Sequence, residues 1–232
     1  FPNAKVLRMD ADTTLAKYSY EEKLKAFANG DYDILLGTQM VAKGLNFPKV
    51  TLVGVISIDQ QLYNDDFRSS EKAFDLLTQV VGRSGRGDYK GKAVIQTALP
   101  DNDIITLASK QDYEGFFEME NIIRKAMIYP PYCDICSLTF TSENYMKCNT
   151  SATRFLEQIK SAVGNEYSDI KLNVLGPLQP KVAKINNKYR NVITIKCKNN
   201  KRLRSMISSL LVAFMKDKLN NGVTVTADIN PL

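Results

Sequence analysis

A change in hydrophobic rhythm part-way along the chain limits its folding options more than any other feature. Through the first hundred or so residues, short apolar runs alternate with windows of helical spacing. Val6-Leu7-Arg8-Met9 reads as a strand, and residues 18–27 as a helix with Tyr20, Leu24 and Phe27 on one face. Asn29-Gly30-Asp31 closes that helix, because glycine tolerates the left-handed geometry of a C-terminal cap. Ile34-Leu35-Leu36-Gly37 has the character of a buried strand, and residues 50–58 of a longer one rich in β-branched side chains. Residues 67–81 form a helical window with Phe74, Leu77 and Val81 at core spacing, and residues 92–97 a further strand. Strands alternating with helices, with no hairpin turn between them, predict an α/β fold with a parallel sheet.

The rhythm then changes. Residues 100–128 are polar to amphipathic and helical, and Tyr129-Pro130-Pro131 stops them. Beyond lie a strand at 135–141, a helix at 149–163, and strands at 172–175 and 192–197 around a basic loop. A helix at 201–219 carries Leu203, Ile207, Leu210, Leu211 and Phe214 as its apolar stripe, and 223–227 is a last strand. The order β-α-β-β-α-β predicts an α+β split-βαβ, ferredoxin-like domain. The expected organisation is a lobe at 1–100, a helical linker at 101–131 and a C-terminal domain at 132–232.

A chain of 232 residues can bury two cores, and 44% apolar with 24% charged residues is the balance of a globular protein. No apolar run is long enough to span a membrane. Phe1 stands first with no charged-then-apolar leader, which reads as an excised piece of a longer protein. There is no histidine, which rules out Ser-His-Asp hydrolysis and His-ligated zinc within these residues. The four cysteines are too scattered for a disulfide framework, so a reducing cytoplasm is the expected setting.

Charge is distributed unevenly. Residues 1–132 hold 16 Lys+Arg against 18 Asp+Glu, a net of −2, whereas residues 133–232 hold 15 against 7, a net of +8. Between Ile170 and Lys216 there are 11 basic residues and no acidic one. A surface that one-sided attracts polyanions by releasing their counterions, although part of any such run is simply a solvated face.

The run Gln79-Val80-Val81-Gly82-Arg83-Ser84-Gly85-Arg86 carries the most specific chemistry. Two arginines three apart at a helix end can both reach a triphosphate, and the planar guanidinium pairs with phosphate oxygens whatever the pH. A cation supplied there stabilises charge developing on a transferring phosphoryl group. The glycines let the backbone pass close to a ligand. The plainer alternative is a helix C-terminus whose cations answer the dipole.

The octet resembles motif VI of superfamily 2 helicases, in which both arginines face ATP across an interlobe cleft. Gly37-Thr38-Gln39-Met40-Val41-Ala42-Lys43-Gly44-Leu45-Asn46-Phe47-Pro48 looks like motif V in the form used by the primosomal protein N′ family of replication-restart helicases. Arg8-Met9-Asp10-Ala11-Asp12-Thr13-Thr14, Asp66-Phe67-Arg68 and Tyr129-Pro130-Pro131 are similar to further segments of that family. The resemblance runs through the whole chain, tightly to about residue 131 and loosely after it. It implies a partial RecA-like second lobe of an ATP-dependent 3′-to-5′ DNA helicase that restarts stalled forks by primosome assembly. Arg83, Arg86 and Gln79 are then the catalytic candidates, and Lys43, Gly44 and Asn46 join both arginines on the nucleotide side. The family pattern usually has Asp where Asn46 stands; Asn keeps an acceptor for a ribose hydroxyl and loses the charge. Thr38 and Gln39, at the carboxyl edge of a parallel sheet, suit a nucleic-acid phosphate. The resemblance implies a DNA-backbone contact for Asp12 and Thr13; an ordinary Asx/Thr turn accounts for them equally well.

The chain contains no G-x-x-x-x-G-K-[ST] loop and no Asp-Glu box for magnesium. In the family those belong to the first lobe, so ATP with Mg²⁺ is expected to be completed from outside this chain, which alone is expected to be inactive. The family's zinc cysteines likewise precede this segment. Cys133-Asp134-Ile135-Cys136 lacks a second ligand pair, and on a strand its cysteines would face opposite ways; Cys148 and Cys197 look isolated, so no metal is expected here. Nucleic-acid contacts are expected from Lys184, Lys188, Tyr189 and Arg190 on the basic loop, where Tyr189 can stack on a base, and from Arg202 and Arg204. The implied partners are forked or single-stranded DNA, single-stranded-DNA-binding protein and primosome proteins, for a monomer in the bacterial cytoplasm at the nucleoid. The alternative is a DNA- or partner-binding module acting through the basic domain alone.

Overall fold

The computed structural model describes residues 1–9, 17–38, 47, 49–81 and 91–231. The chain separates into two compact units, Phe1–Glu120 and Asn121–Leu232.

In the first unit, β1 (Val6–Met9) pairs in parallel with β2 (Ile34–Gly37). Likewise β3 (Leu52–Val55) pairs in parallel with β4 (Lys92–Ile95), so both described pairs run as the strand–helix alternation predicts. Helix α1 (Lys17–Asn29) ends as its sequence requires: Gly30 has φ +91°, and Gly30 N–H donates to Phe27 O. The strand expected over 50–58 stops at Val55, because Ser57 takes φ 59°, which no strand accommodates. The chain instead turns into α2 (Asp59–Leu62). A second correction concerns β2, expected to be buried: Ile34 is 37% and Leu36 48% exposed. Its described strand neighbour is β1 alone, and the helix beside this pair, α1, packs on β1.

The core of this unit lies on α3 (Ser69–Val81). Phe74 and Leu77 are buried along it as read, together with Ala73 and Val80, whereas Val81 is only half-buried. The stretch expected to be one helix is two, α4 (Asp103–Ser109) and α5 (Tyr113–Met127), with Gln111 at φ 56° between them. Asn102 caps α4 by accepting from Ile104 N–H. Ile105, Ala108 and Phe116 join the α3 core, and Phe116 stacks on Phe74 at 4.1 Å.

The second unit is built on an antiparallel sheet. Its strands are β5 (Asp134–Ser142), β6 (Asn173–Leu178), β7 (Lys184–Ile185), β8 (Lys188–Cys197) and β9 (Val223–Ile229). The order across it is β6-β8-β5-β9, with β7 added to β8. Helices α6 (Tyr145–Gly164) and α7 (Lys201–Lys216) supply the rest of the core. Alternation along β5 buries Cys136, Leu138, Phe140 and Ser142 on the helix side and leaves Ser137, Thr139 and Thr141 half-exposed. Phe140, Phe155 and Phe214 meet edge to face with centroids 5.4–5.7 Å apart, each such pair adding about 0.5–1.5 kcal/mol beyond its burial. Asn144 caps α6 and Asn200 caps α7, each accepting from a backbone N–H three residues on.

The β5–β8 register corrects the reading of the cysteines. Cys133 precedes the strand, and its thiol donates to Ile128 O. Cys197 is not isolated: Asp134 faces it across the ladder, which sets it diagonal to Cys136 in the same core. Burial pushes the Cys136 thiol up to about 11 and the Cys197 thiol up to about 12. Among the described residues no group of Cys, Asp or Glu is arranged to hold a metal ion, and no helix is long and apolar enough to cross a membrane.

Candidate nucleic-acid interface

Asp12, Thr13, Gln39, Lys43, Gly44, Asn46, Arg83 and Arg86 lie outside the described residues. What is described is the scaffold leading to them. Thr38 follows β2 directly and is exposed at the carboxyl end of the β1–β2 pair, the edge where open parallel sheets take ligands. Gln79 is exposed on the last turn of α3, flanked by the buried Leu77 and Val80. The core thus holds the helix that leads into the octet and leaves its polar face outward.

The start of α3 is pinned by charge. Asp66 accepts from the Arg68 backbone N–H and side chain, and Lys72 Nζ lies 2.5 Å from its other oxygen. Burial opposes ionisation of this carboxyl, but Arg68 and Lys72 together hold it at about 2. At the carboxyl end of the β3–β4 pair, Asp59 accepts from Thr97 Oγ1 at 2.7 Å and from Ala98 N–H at 3.1 Å. Those bonds lower its carboxyl from the usual range, the Thr97 hydroxyl most.

In the second unit the basic loop is a tight hairpin. Asn186 and Asn187 both have positive φ, 49° and 61°, and join the pairs Ile185–Lys188 and Lys184–Tyr189. Two central residues of that conformation match the right-handed twist of the strands, and Asn tolerates it better than any other non-glycine residue. Lys184 and Tyr189 are brought together, with Nζ 4.8 Å from the ring centroid. Strand alternation sends Lys188 and Arg190 to the other face, where Arg190 lies opposite Thr141. Tyr145, at the start of α6, meets the Tyr189 ring at 5.8 Å and 66°. Nothing in the sequence spacing could have paired these two tyrosines, which are brought together by the β5–α6 turn.

Arg202, Arg204 and Lys196 do not join this group. Arg202 spends its guanidinium locally: Nη2 donates to Glu166 O at 2.5 Å, Nε lies 3.3 Å from Asp169, and the group covers the Tyr167 ring at 4.5 Å. Arg204 donates to Asn199 Oδ1 at 2.8 Å. Lys196 is 7% exposed, with Nζ donating to Met127 O at 2.7 Å and lying 3.6 Å from the Tyr129 ring centroid. The long basic run therefore resolves into an exposed hairpin group and several cations that hold the domain together.

Comparison with known proteins accounts for both units. The helicase conserved C-terminal domain family matches residues 3–88, and the primosomal protein N C-terminal domain family matches residues 125–232. The replication restart protein PriA of Bacillus subtilis (strain 168) is 41% identical over 230 residues, 99% of this chain and 28% of that protein. The protein of the same name from Chlamydia muridarum is 38% identical over 235 residues, covering 100% of this chain and 30% of that one. That from Thermotoga maritima is 34% identical over 214 residues, 91% of this chain and 27% of that one. The chain thus spans less than a third of the length of these relatives. From the helicase C-terminal match through the primosomal C-terminal domain, it belongs to the family of the replication restart protein PriA.

Proposed function

We propose that the chain is part of an ATP-dependent 3′-to-5′ superfamily 2 DNA helicase that restarts stalled replication forks by primosome assembly. The observation that carries this reading is the end-to-end similarity to replication restart protein PriA, 41% over 99% of the chain. In this reading the first unit is a RecA-like second motor lobe. Arg83 and Arg86 stabilise charge on the transferring phosphoryl group, Gln79 joins them as a catalytic residue, and Lys43, Gly44 and Asn46 face the nucleotide. Thr38 and Gln39 grip the tracking strand, with Asp12 and Thr13 on the DNA backbone. The chain has no phosphate-binding G-x-x-x-x-G-K-[ST] loop, so ATP with Mg²⁺ is completed by groups outside it, as is any zinc site.

The second unit, in the same reading, is a ferredoxin-like domain; its antiparallel β6-β8-β5-β9 order and, with the two-residue β7 set aside, its β-α-β-β-α-β succession support that. It holds forked or single-stranded DNA through Lys184, Lys188, Tyr189 and Arg190. Arg202 and Arg204, beyond their contacts within the domain, are the candidates for branched DNA and for single-stranded-DNA-binding protein. The whole acts as a monomer in the cytoplasm.

The deciding experiment is Arg86→Ala in the full-length protein. Arginines that neutralise a transferring phosphoryl group are worth about 10³–10⁵ in turnover, so DNA-stimulated ATPase should collapse while DNA binding persists. ATPase within a few-fold of wild type removes the catalytic role. A second reading, a binding module acting through the basic domain alone, is favoured by the exposed hairpin cations. It would be upheld by salt-dependent DNA binding in this chain together with undiminished ATPase in the Arg86 variant.

A further inference from the structure

We propose that an unstacked base of single-stranded DNA docks on Tyr145, at the end of the second unit where β5, β8 and α6 meet. The inference rests on the reading of this unit as DNA-binding, and it names a residue and a strandedness that reading leaves open. Tyr189, the aromatic residue apparent from the sequence, has Lys184 over its ring at 4.8 Å and Tyr145 against it at 5.8 Å. Its ring is thus occupied within the domain. Tyr145 is 42% exposed, with its ring centroid 5.8 Å from that of Tyr189, so part of it stays open to solvent.

On either side of Tyr145 in the chain, Asn144 and Lys147 line a cleft of about 440 Å³ with Thr141, Glu143, Lys188 and Thr224, on the face that Lys188 shares with Arg190. Lys147 and Lys188 line that cleft with the carboxylate of Glu143, and Lys184 stands over Tyr189 on the other face, so cations border this end of the sheet on both sides. Thr141 and Thr224 bond each other, which leaves the Asn144 amide N–H groups and the Glu143 carboxylate for base edges, while the lysines follow the phosphates. An exposed aromatic residue near cations fits a strand whose bases are free to splay, because duplex bases already spend their faces on one another.

The test measures binding of the 232-residue chain to a labelled oligothymidylate and to a blunt duplex. Base–aromatic stacking is worth a factor of about 5 to 150 per base. Tyr145→Ala should therefore weaken single-strand binding by about tenfold, leave duplex binding unchanged, and leave the salt dependence unaltered. Tyr145→Phe should retain the affinity, since the ring and not the hydroxyl is used. A halogenated-uracil photocrosslink should map to Tyr145. Equal single-strand affinity in wild type and Tyr145→Ala, or a crosslink confined to other residues, overturns the proposal and leaves the DNA-binding reading standing. Absence of salt-dependent binding by the wild-type chain overturns both.

Discussion

Lys196 counts among the 11 basic residues of the acid-free stretch, yet it is 7% exposed and turned inward. Its Nζ donates to Met127 O at 2.7 Å and sits 3.6 Å from the centre of the Tyr129 ring. A hydrogen bond from a charged donor is worth about 1.5–3 kcal/mol and a desolvated cation–π contact about 2 kcal/mol. Against these stands the cost of keeping the ammonium out of water, which any neutral replacement relieves. Lys196→Met keeps the stem's packing, so its net effect is a loss of only about 1–2 kcal/mol by that balance. The coupling with Tyr129 is the sharper quantity, because relief of desolvation is common to both arms of a double-mutant cycle. Lys196→Met, Tyr129→Leu and the double variant, followed by urea unfolding of the chain, should give a coupling of about 1–2 kcal/mol. A coupling below about 0.5 kcal/mol, the usual error of additivity, would refute the claim that this lysine acts as an internal tie.

Two further outcomes follow from the geometry. Asp66, held at about 2, is depressed below its unfolded value, so its contribution is present above about pH 4 and lost as pH falls through 2. With Lys72 half-exposed, that contribution is about 1–2 kcal/mol after solvent screening. In Asp66→Asn, calorimetry should find the first unit's acid destabilisation reduced over this interval, and an unchanged acid limb would count against the cluster. Asn187→Val forces a β-branched residue to φ 61° and should cost about 1–3 kcal/mol, read as faster amide exchange along β7 and β8. Asn187→Gly should leave that exchange unchanged or slower.

Much of the architecture was legible because it is periodic. The stripe Leu203, Ile207, Leu210, Leu211 and Phe214 was read from spacing; Leu203, Ile207 and Phe214 are buried, and Leu210 and Leu211 pack against the same cluster. Gly30 marked the end of α1 because one backbone conformation there needs it. The misses share a cause. Asn186-Asn187 lacks the Asn-Gly signal of a hairpin, so its sequence resembles a loop where the chain makes a two-residue turn. Burial of Lys196 and the capture of Arg202 by Glu166 and Asp169 depend on residues 30 or more positions away, which no local window contains. The Tyr145–Tyr189 pair was invisible for the same reason.

Strand β8 also acts as a ruler. Lys188 opens it, and the exposed Lys198 and Lys201 follow its end. Ten residues at about 3.3 Å each separate those two ends by roughly 33 Å, close to a full turn of duplex. No short oligonucleotide can bridge such a span. A ligand long enough to touch both ends would gain from two-point attachment, its second contact being made at the high effective concentration set by the first. Affinity for this domain would then rise in a step with ligand length, and a rigid strand inside the protein would set where that step falls.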